Sequence, residues 1–181
     1  MSNPAWYDDP GLQTVPDVFP YERTETPLGV WFRHRYPEGG SYAEFRSHQQ
    51  WFGWPLIHVT RGICPETGRR KTARGIVALG RIAIGVIAVG QVAAGVFALG
   101  QVGVGLLLGL GQFSMGMVCI GQAALAGLFG LGQFATGIVA IGQFGFGEYV
   151  LAQFGVGSHV IDMGGADPQA VDFFKQFIPG M

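Results

Sequence analysis

The sequence predicts a mainly β fold built on a β-solenoid of five-residue repeats, about four coils long, with glycine at each corner. Three observations carry this prediction. Glycine recurs about every five residues between positions 75 and 157. Val, Ile or Phe usually follows two positions after it, and a polar side chain returns every ten or eleven residues. Residues 82–147 also contain no Asp, Glu, Lys or Arg, so the repeat differs in composition from the segment before it.

The repeat itself argues for strands and against helices. Its first units read GIVAL, GRIAI, GVIAV and GQVAA, and sixteen units follow one another with two one-residue insertions. A helix turns 100° per residue, so a step of five would scatter the glycines around its axis. Each glycine would also cost about 0.5–1 kcal/mol relative to alanine in a helix. Short strands with branched or aromatic centres favour a solenoid in which glycine turns the corner and the large residue points inward.

If four units close one coil, each coil takes 20 or 21 residues and the polar residues form two ladders. One ladder would hold Arg81, Gln101, Gln122 and Gln143, and the opposite ladder would hold Gln91, Gln112, Gln133 and Gln153. Stacked amides hydrogen-bond along such ladders, so they are expected to stabilise coil against coil rather than to bind a ligand. The two remaining sides would present outward an apolar membrane or assembly surface, formed by Val86, Leu106 and Leu128 and by Val96, Met117 and Ile138.

Two resemblances accompany this pattern. The five-residue period resembles that of pentapeptide-repeat β-solenoids, although units such as GQVAA and GVFAL lack that family's small residue, Asn or Asp, then Leu. Residues 50–161 are similar to bacterial glycine-rich hydrophobic repeat proteins, in which a WPLIHV segment and a PETG turn precede an ARGIVALG-type repeat. The second resemblance implies a bacterial protein and no particular activity.

The composition favours a membrane environment. A narrow coil can turn only about two residues of each unit inward, so apolar side chains must also cover the outside. That surface exceeds the few hundred Å² of contiguous apolar area that soluble monomers tolerate. Four coils would make a column of ~19 Å, shorter than the ~30 Å hydrocarbon core, so an upright solenoid is not expected to span. The competing membrane interpretation is about three helices of ~20 residues within 82–147, with almost no loop.

The flanking segments are predicted to cap the repeat. Residues 1–28 are expected to form an irregular arm, and 29–74 a cap with one hairpin at the PEGG turn and another at the CPETG turn. The repeat occupies 75–161. In the C-terminal cap, 162–181, Asp167 and Pro168 predict the start of a short helix. Trp31, Trp51 and Trp54 are either interface anchors or core residues of the cap.

Charge and motifs argue against several classes of function. The net charge of −1 does not favour a nucleic-acid partner. Cys64 and Cys119 stand too far apart for a CxxC motif, and both are expected to be free. The four histidines have no acidic residue at metal or triad spacing, so neither a metal, a cofactor, a catalytic group nor a small-molecule substrate is predicted. The chain is therefore expected not to be an enzyme.

The basic residues before the repeat suggest an orientation. Arg69, Arg70, Lys71 and Arg74 form a basic flank of the kind found on the cytoplasmic side of membrane segments, although a solvated turn is the alternative. The leading hypothesis is a membrane-associated structural or assembly protein with a cytoplasmic N-terminal region, in contact with lipid and with further copies of itself. A membrane-disrupting or pore-forming oligomer and a soluble oligomer or filament are the alternatives.

Overall fold

The computed structural model describes residues 21–178 and is mainly β, with one short helix near the C-terminus. The chain forms two compact units, Met1–Val86 and Ile87–Met181. The helix was predicted from sequence and is present as α1, Pro168–Lys175. Residues 1–20 of the predicted irregular arm lie outside the described part. The rest of that arm is not irregular, because it contains a strand.

The first unit is an antiparallel sheet extended by one parallel strand. Its strands are β1 (Glu22–Thr26), β2 (Gly29–Arg35), β3 (Ser41–Ser47), β6 (Ile57–Arg61) and β7 (Ala73–Leu79), and they lie side by side in that order. Two short strands, β4 (Gln50–Trp51) and β5 (Trp54–Pro55), form a separate hairpin.

The predicted hairpin at the PEGG turn is present. Strands β2 and β3 pair antiparallel, with Gly29 opposite Ser47 and Arg35 opposite Ser41. The turn needs glycine at its end, because Gly39 and Gly40 have φ of +88° and +114°, which side chains with a Cβ rarely adopt.

The second predicted hairpin, at the CPETG turn, is wrong. Strands β6 and β7 are parallel, with Ile57 opposite Val77. The CPETG segment closes on itself through hydrogen bonds from the Cys64 N–H to the Arg69 carbonyl and from the Gly68 N–H to the Cys64 carbonyl. Seventeen residues, 60–76, separate the paired residues Val59 and Val77, which is long enough for the crossover that parallel strands require.

The repeat is extended throughout its length. One strand-like segment, β8, covers Ile82–Asp162, and β9 (Gly165–Ala166) pairs antiparallel with its last two residues. Its part in the second unit does not run straight. A Cβ atom placed on Gly100 would overlap the carbonyl oxygen of Gly90. The same relation holds for Gly111 and Gly100, Gly121 and Gly111, Gly132 and Gly121, and Gly142 and Gly132.

The chain of the second unit therefore lies beside itself every ten or eleven residues, which we call the return interval. The expected interval of 20 or 21 residues is wrong here. Two repeat units, rather than four, separate backbone segments that are in contact. Glycine is required at these contacts because no Cβ fits against the neighbouring carbonyl oxygen.

Candidate functional site

The second unit buries its smallest side chains and exposes its largest. At position four of most units the side chain is small and fully buried, whereas Leu108 at this position is half-buried. The buried residues are Ala88, Ala93, Ala98, Ser114, Cys119, Ala124, Ala135, Ala140 and the larger Val150. The large residues at position three were expected to point inward, and that expectation is wrong. Phe97, Phe113 and Phe134, for example, are all exposed. With only two units per return, the space between them holds small side chains and, at position 150, a valine, but it excludes an aromatic ring.

The predicted membrane or assembly surface is exposed along most of its length. Leu106, Met117, Leu128 and Ile138 are exposed and Val96 is half-buried, all in the second unit. Val86, the last residue of the first unit, is exposed as well. Successive members are ten or eleven residues apart, so the return interval aligns them in one row instead of on two sides. We call residues 96, 106, 117, 128 and 138 the apolar row.

The glutamines also align in one row. A groove of about 600 Å³ is lined by members of both predicted ladders, so their assignment to opposite sides is wrong. The amides that line it belong to Gln101, Gln112, Gln122, Gln133 and Gln143, and we call this set the glutamine row. Gln91 and Gln153 continue the spacing in the second unit and are exposed, as is Arg81 in the first unit. Phenylalanines stack beside the row, as in the pair Phe144 and Phe154 with ring centroids 5.5 Å apart.

The C-terminal helix packs on the end of β8. Asp167 caps it, because its carboxylate accepts hydrogen bonds from the backbone N–H groups of Gln169 at 2.7 Å and Ala170 at 3.2 Å. These bonds lower the pKa of the Asp167 carboxyl group. Phe174 is buried, and the ring of Phe173 stacks on Tyr149 at 4.2 Å.

The basic flank lines a cavity in the first unit. This cavity has a volume of about 780 Å³. Its wall includes all four flank residues together with Arg46 and His58, and Gly53, Trp54 and Pro55 from the β4–β5 hairpin. We call it the basic cavity. The sequence predicted that the basic flank lies beside a membrane segment, with a solvated turn as the alternative. The structure shows in addition that the flank residues line a concave site.

A buried carboxylate holds several of these side chains in place. Glu44 is only 3% exposed, and its two oxygens bind His58 Nε2 at 2.9 Å, Arg46 Nε at 2.7 Å and Lys71 Nζ at 3.0 Å. The hydroxyl of Tyr42 donates to the same carboxylate. Burial alone would raise the pKa of Glu44, but the His58 hydrogen bond and the charges of Arg46 and Lys71 outweigh it and hold the pKa well below its ordinary value.

Sequence reasoning missed this network. No acidic residue lies at metal or triad spacing from His58 in the sequence, but the fold places Glu44 on the neighbouring strand within hydrogen-bond distance of its Nε2. His159 likewise lies 3.5 Å from Asp167. One signal was available in the sequence: alternation along β3 puts Tyr42, Glu44 and Arg46 on one face. The pairing with β6 that brings His58 to that face depends on a long-range register that a single sequence does not reveal.

The three tryptophans have different surroundings. Trp31 is half-buried against Phe45, with ring centroids 5.0 Å apart, and the guanidinium of Arg33 lies 5.1 Å from its ring. Trp51 and Trp54 instead face each other across the β4–β5 hairpin, and both are exposed. They match the interface-anchor alternative in exposure, whereas Trp31 packs on the sheet.

Both cysteines are free and buried. Within residues 21–178, no cluster of three or more His, Cys, Asp or Glu side chains is arranged to hold a metal ion. Over the same residues, no helix has the length and apolar character needed to cross a membrane. Comparison of the chain with known proteins finds no matching family model, no similar curated protein and no similar solved structure.

Proposed function

We propose that this protein is a membrane-embedded structural or assembly element, and that its second unit is a two-sided β-solenoid with one coil per return interval. The observation that carries the proposal is the orientation of the side chains. The unit buries alanine but exposes leucine, methionine and phenylalanine, large apolar residues that a water-soluble protein usually buries. Lipid or another copy of the chain must cover such a surface.

The dimensions support an upright orientation in the bilayer. Residues 87–147 of the second unit carry no charged side chain. At one coil per ten or eleven residues and ~4.8 Å per coil, they form about six coils and a column ~28 Å tall, close to the ~30 Å hydrocarbon core. With the shorter return interval, the column is therefore close to the thickness of the hydrocarbon core, whereas a column of four wide coils would have been too short. Glu148 would lie just beyond this column, at the level of the headgroups.

The backbone of such a column meets the requirement that a bilayer imposes. Each coil pairs its N–H and C=O groups with the coils on either side, so few unpaired groups face hydrocarbon. At the C-terminal end, β9 and α1 pack against the last residues of β8. We expect them to protect the final strand edges from pairing with other chains.

The glutamine row favours assembly of several copies. An amide that faces lipid is costly unless it is hydrogen-bonded, and one continuous row of amides along an apolar surface suits contact with the same row of a second copy. Several such rows around a common axis would line a polar path, which is the pore-forming alternative. Leakage of a trapped dye from vesicles would distinguish a pore from a closed assembly.

The experiment that tests embedding compares two equivalent substitutions in one row. Gln112→Arg puts a charge near the middle of the charge-free column, and Gln153→Arg puts the same charge beyond Glu148. A central arginine costs about 2.5–3.5 kcal/mol on insertion scales, and this cost falls towards the interface. We therefore expect Gln112→Arg to lose the carbonate-resistant membrane fraction and Gln153→Arg to keep it. Equal behaviour of both variants, or recovery of the unmodified protein without detergent, contradicts embedding and supports the soluble oligomer.

A further inference from the structure

The first unit carries a second feature that the proposed function does not use. The basic cavity brings together five cationic side chains: those of Arg46, Arg69, Arg70, Lys71 and Arg74. Among residues 21–178, Glu44 is the carboxylate that pairs with two of them, Arg46 and Lys71. The cavity therefore has a strong excess of positive charge. Guanidinium groups match the oxygens of phosphate in bidentate geometry, so a phosphate-bearing anion is the ligand class that this wall fits.

The Glu44 network keeps these side chains in position and offsets only one of their five positive charges. Its carboxylate holds Arg46, His58 and Lys71 against the sheet. The backbone N–H of Arg74 donates to Nδ1 of His58 at 2.9 Å. The chain that carries the basic flank is thereby tied to β6 before any ligand binds. The cavity volume of about 780 Å³ exceeds that of a phosphate ion and lies in the ~300–1,000 Å³ range of small-molecule sites.

An aromatic tip adjoins the cavity. Phe52, at the turn of the β4–β5 hairpin, is 97% exposed and has a φ of +53°, a left-handed conformation that is uncommon for a bulky residue. Trp51 is 61% exposed beside it, and Gly53 and Trp54 pass directly into the cavity wall. Tryptophan is enriched where proteins meet the membrane interface.

We propose that the first unit binds the headgroup of an anionic phospholipid in the basic cavity, with Trp51 and Phe52 inserted into the membrane interface beside it. A ligand with an anionic phosphate at one end and an apolar body at the other accounts for both features, whereas a soluble phosphate accounts for the cavity alone. The proposal concerns the first unit and does not require that the second unit be embedded.

The cavity is tested by lipid titration of the full chain in dodecyl maltoside, with bound lipid counted by native mass spectrometry. We expect phosphatidylglycerol to bind at least about tenfold more tightly than phosphatidylcholine, and pyrophosphate to displace it. Arg70→Gln combined with Arg74→Gln should weaken phosphatidylglycerol binding about tenfold or more, because charge-assisted contacts to phosphate are lost. The control Arg61→Gln changes an exposed arginine that does not line the cavity and should leave binding unchanged.

Equal affinity for the two lipids, or an equal loss in the control, overturns the proposal. Saturable binding of pyrophosphate without binding of phosphatidylglycerol also overturns it and identifies a site for a soluble phosphate compound. Carbonate extraction reports on embedding of the second unit and lipid selectivity on the cavity, so the failure of one proposal is distinguishable from the failure of the other.

The tip is tested by a fluorescent label. Cys64 and Cys119 are buried, so a bimane reagent should label a new surface cysteine selectively. In nanodiscs containing phosphatidylglycerol, the label on Phe52→Cys should shift to shorter wavelength. The label on Leu28→Cys, at the exposed turn between β1 and β2, should keep the emission wavelength that it has in water. Water-like emission at position 52, or equal shifts at both positions, overturns insertion of the tip.

Discussion

Replacing single glycines tests the return interval directly. The repeat offers a matched pair, Gly100 and Gly127. A Cβ on Gly100 would overlap the carbonyl oxygen of Gly90 and come within 3.2 Å of that of Gln91, whereas a Cβ on Gly127 would meet its nearest atom, the Gly116 carbonyl oxygen, at 3.9 Å. Neither glycine has a positive φ in the restricted range, so a left-handed backbone does not penalise alanine at either site. The two substitutions to alanine therefore differ mainly in the space available.

The expected magnitudes follow from this geometry. Overpacking at a tight site costs about 1–3 kcal/mol, so Gly100→Ala should lower the free energy of unfolding by that amount. Gly127→Ala should raise it by about 0.4–1 kcal/mol, because alanine restricts the unfolded chain more than glycine does. For a chain of this size, each kcal/mol shifts Tm by about 2–4 °C. The Tm of Gly100→Ala should thus lie about 3–16 °C below that of Gly127→Ala.

The assay is thermal unfolding of the purified protein in a mild detergent, followed by far-ultraviolet circular dichroism. Gly100→Val should be more damaging than Gly100→Ala, and also more damaging than Leu99→Ala, which removes a side chain that is already exposed. If Gly100→Ala and Gly127→Ala unfold at the same temperature, the close approach of Gly100 to Gly90 is refuted, and with it the coil of ten or eleven residues.

Three further predictions concern other parts of the molecule. Glu44→Gln should destabilise the first unit by about 2–3 kcal/mol at pH 7, less than for a fully buried pair because the partner cations are partly exposed. Because the pKa of Glu44 is lower in the folded state, the free energy of unfolding of the native chain, measured in urea, should decrease as pH falls below about 4.5. The variant should not show this decrease. Met117→Lys should break a detergent-stable oligomer into monomers, whereas deletion of 166–181 should lengthen it into fibres, as measured by mass photometry and electron microscopy. Asp167→Ala should lower the melting temperature by removing the helix cap, and an unchanged melting temperature would contradict that role.

Local patterns predicted the local structure well. The glycine period indicated extended chain, the PEGG sequence indicated a hairpin, and Asp167 followed by Pro168 indicated the start of a helix. Each of these signals acts within a few residues of the chain, through backbone conformation or capping. The corresponding elements are present in the structure.

The number of repeat units between neighbouring backbone segments could not be predicted from such local patterns. The five-residue period predicts where the corners lie. It does not give the number of units per return, because the polar residues, ten or eleven positions apart, align equally well with two units per return or with four. Volume decides between them. The buried side chains at position four are mostly alanine, and the larger Val150 fits because Gly145 and Gly155 lie beside it. Two units therefore suffice to enclose them, and the large residues at position three have no room inside. The prediction that position three faces inward was therefore wrong: position four faces inward and position three faces outward.

The candidate cavity was visible from sequence only in part. The basic flank stood out as a cluster of charge, but its concave form depends on the parallel pairing of β6 and β7 and on Glu44, which is 27 residues away from Lys71 along the chain. Such long-range pairings carry no periodic signal. The aromatic tip was noted through Trp51 and Trp54, while the exposed Phe52 between them was not.

The alternation of two kinds of unit constrains how this chain can change length. In the proposed solenoid, adding ten or eleven residues would insert one complete layer, lengthen the column by ~4.8 Å and leave every downstream residue on its original side. Adding five residues instead exchanges the two sides, so each downstream glutamine would continue the apolar row and each leucine or methionine the glutamine row. If the second unit is the membrane-embedded solenoid proposed above, duplications within the repeat should be tolerated in pairs of units, and the number of pairs would set the height of the column relative to the thickness of the membrane.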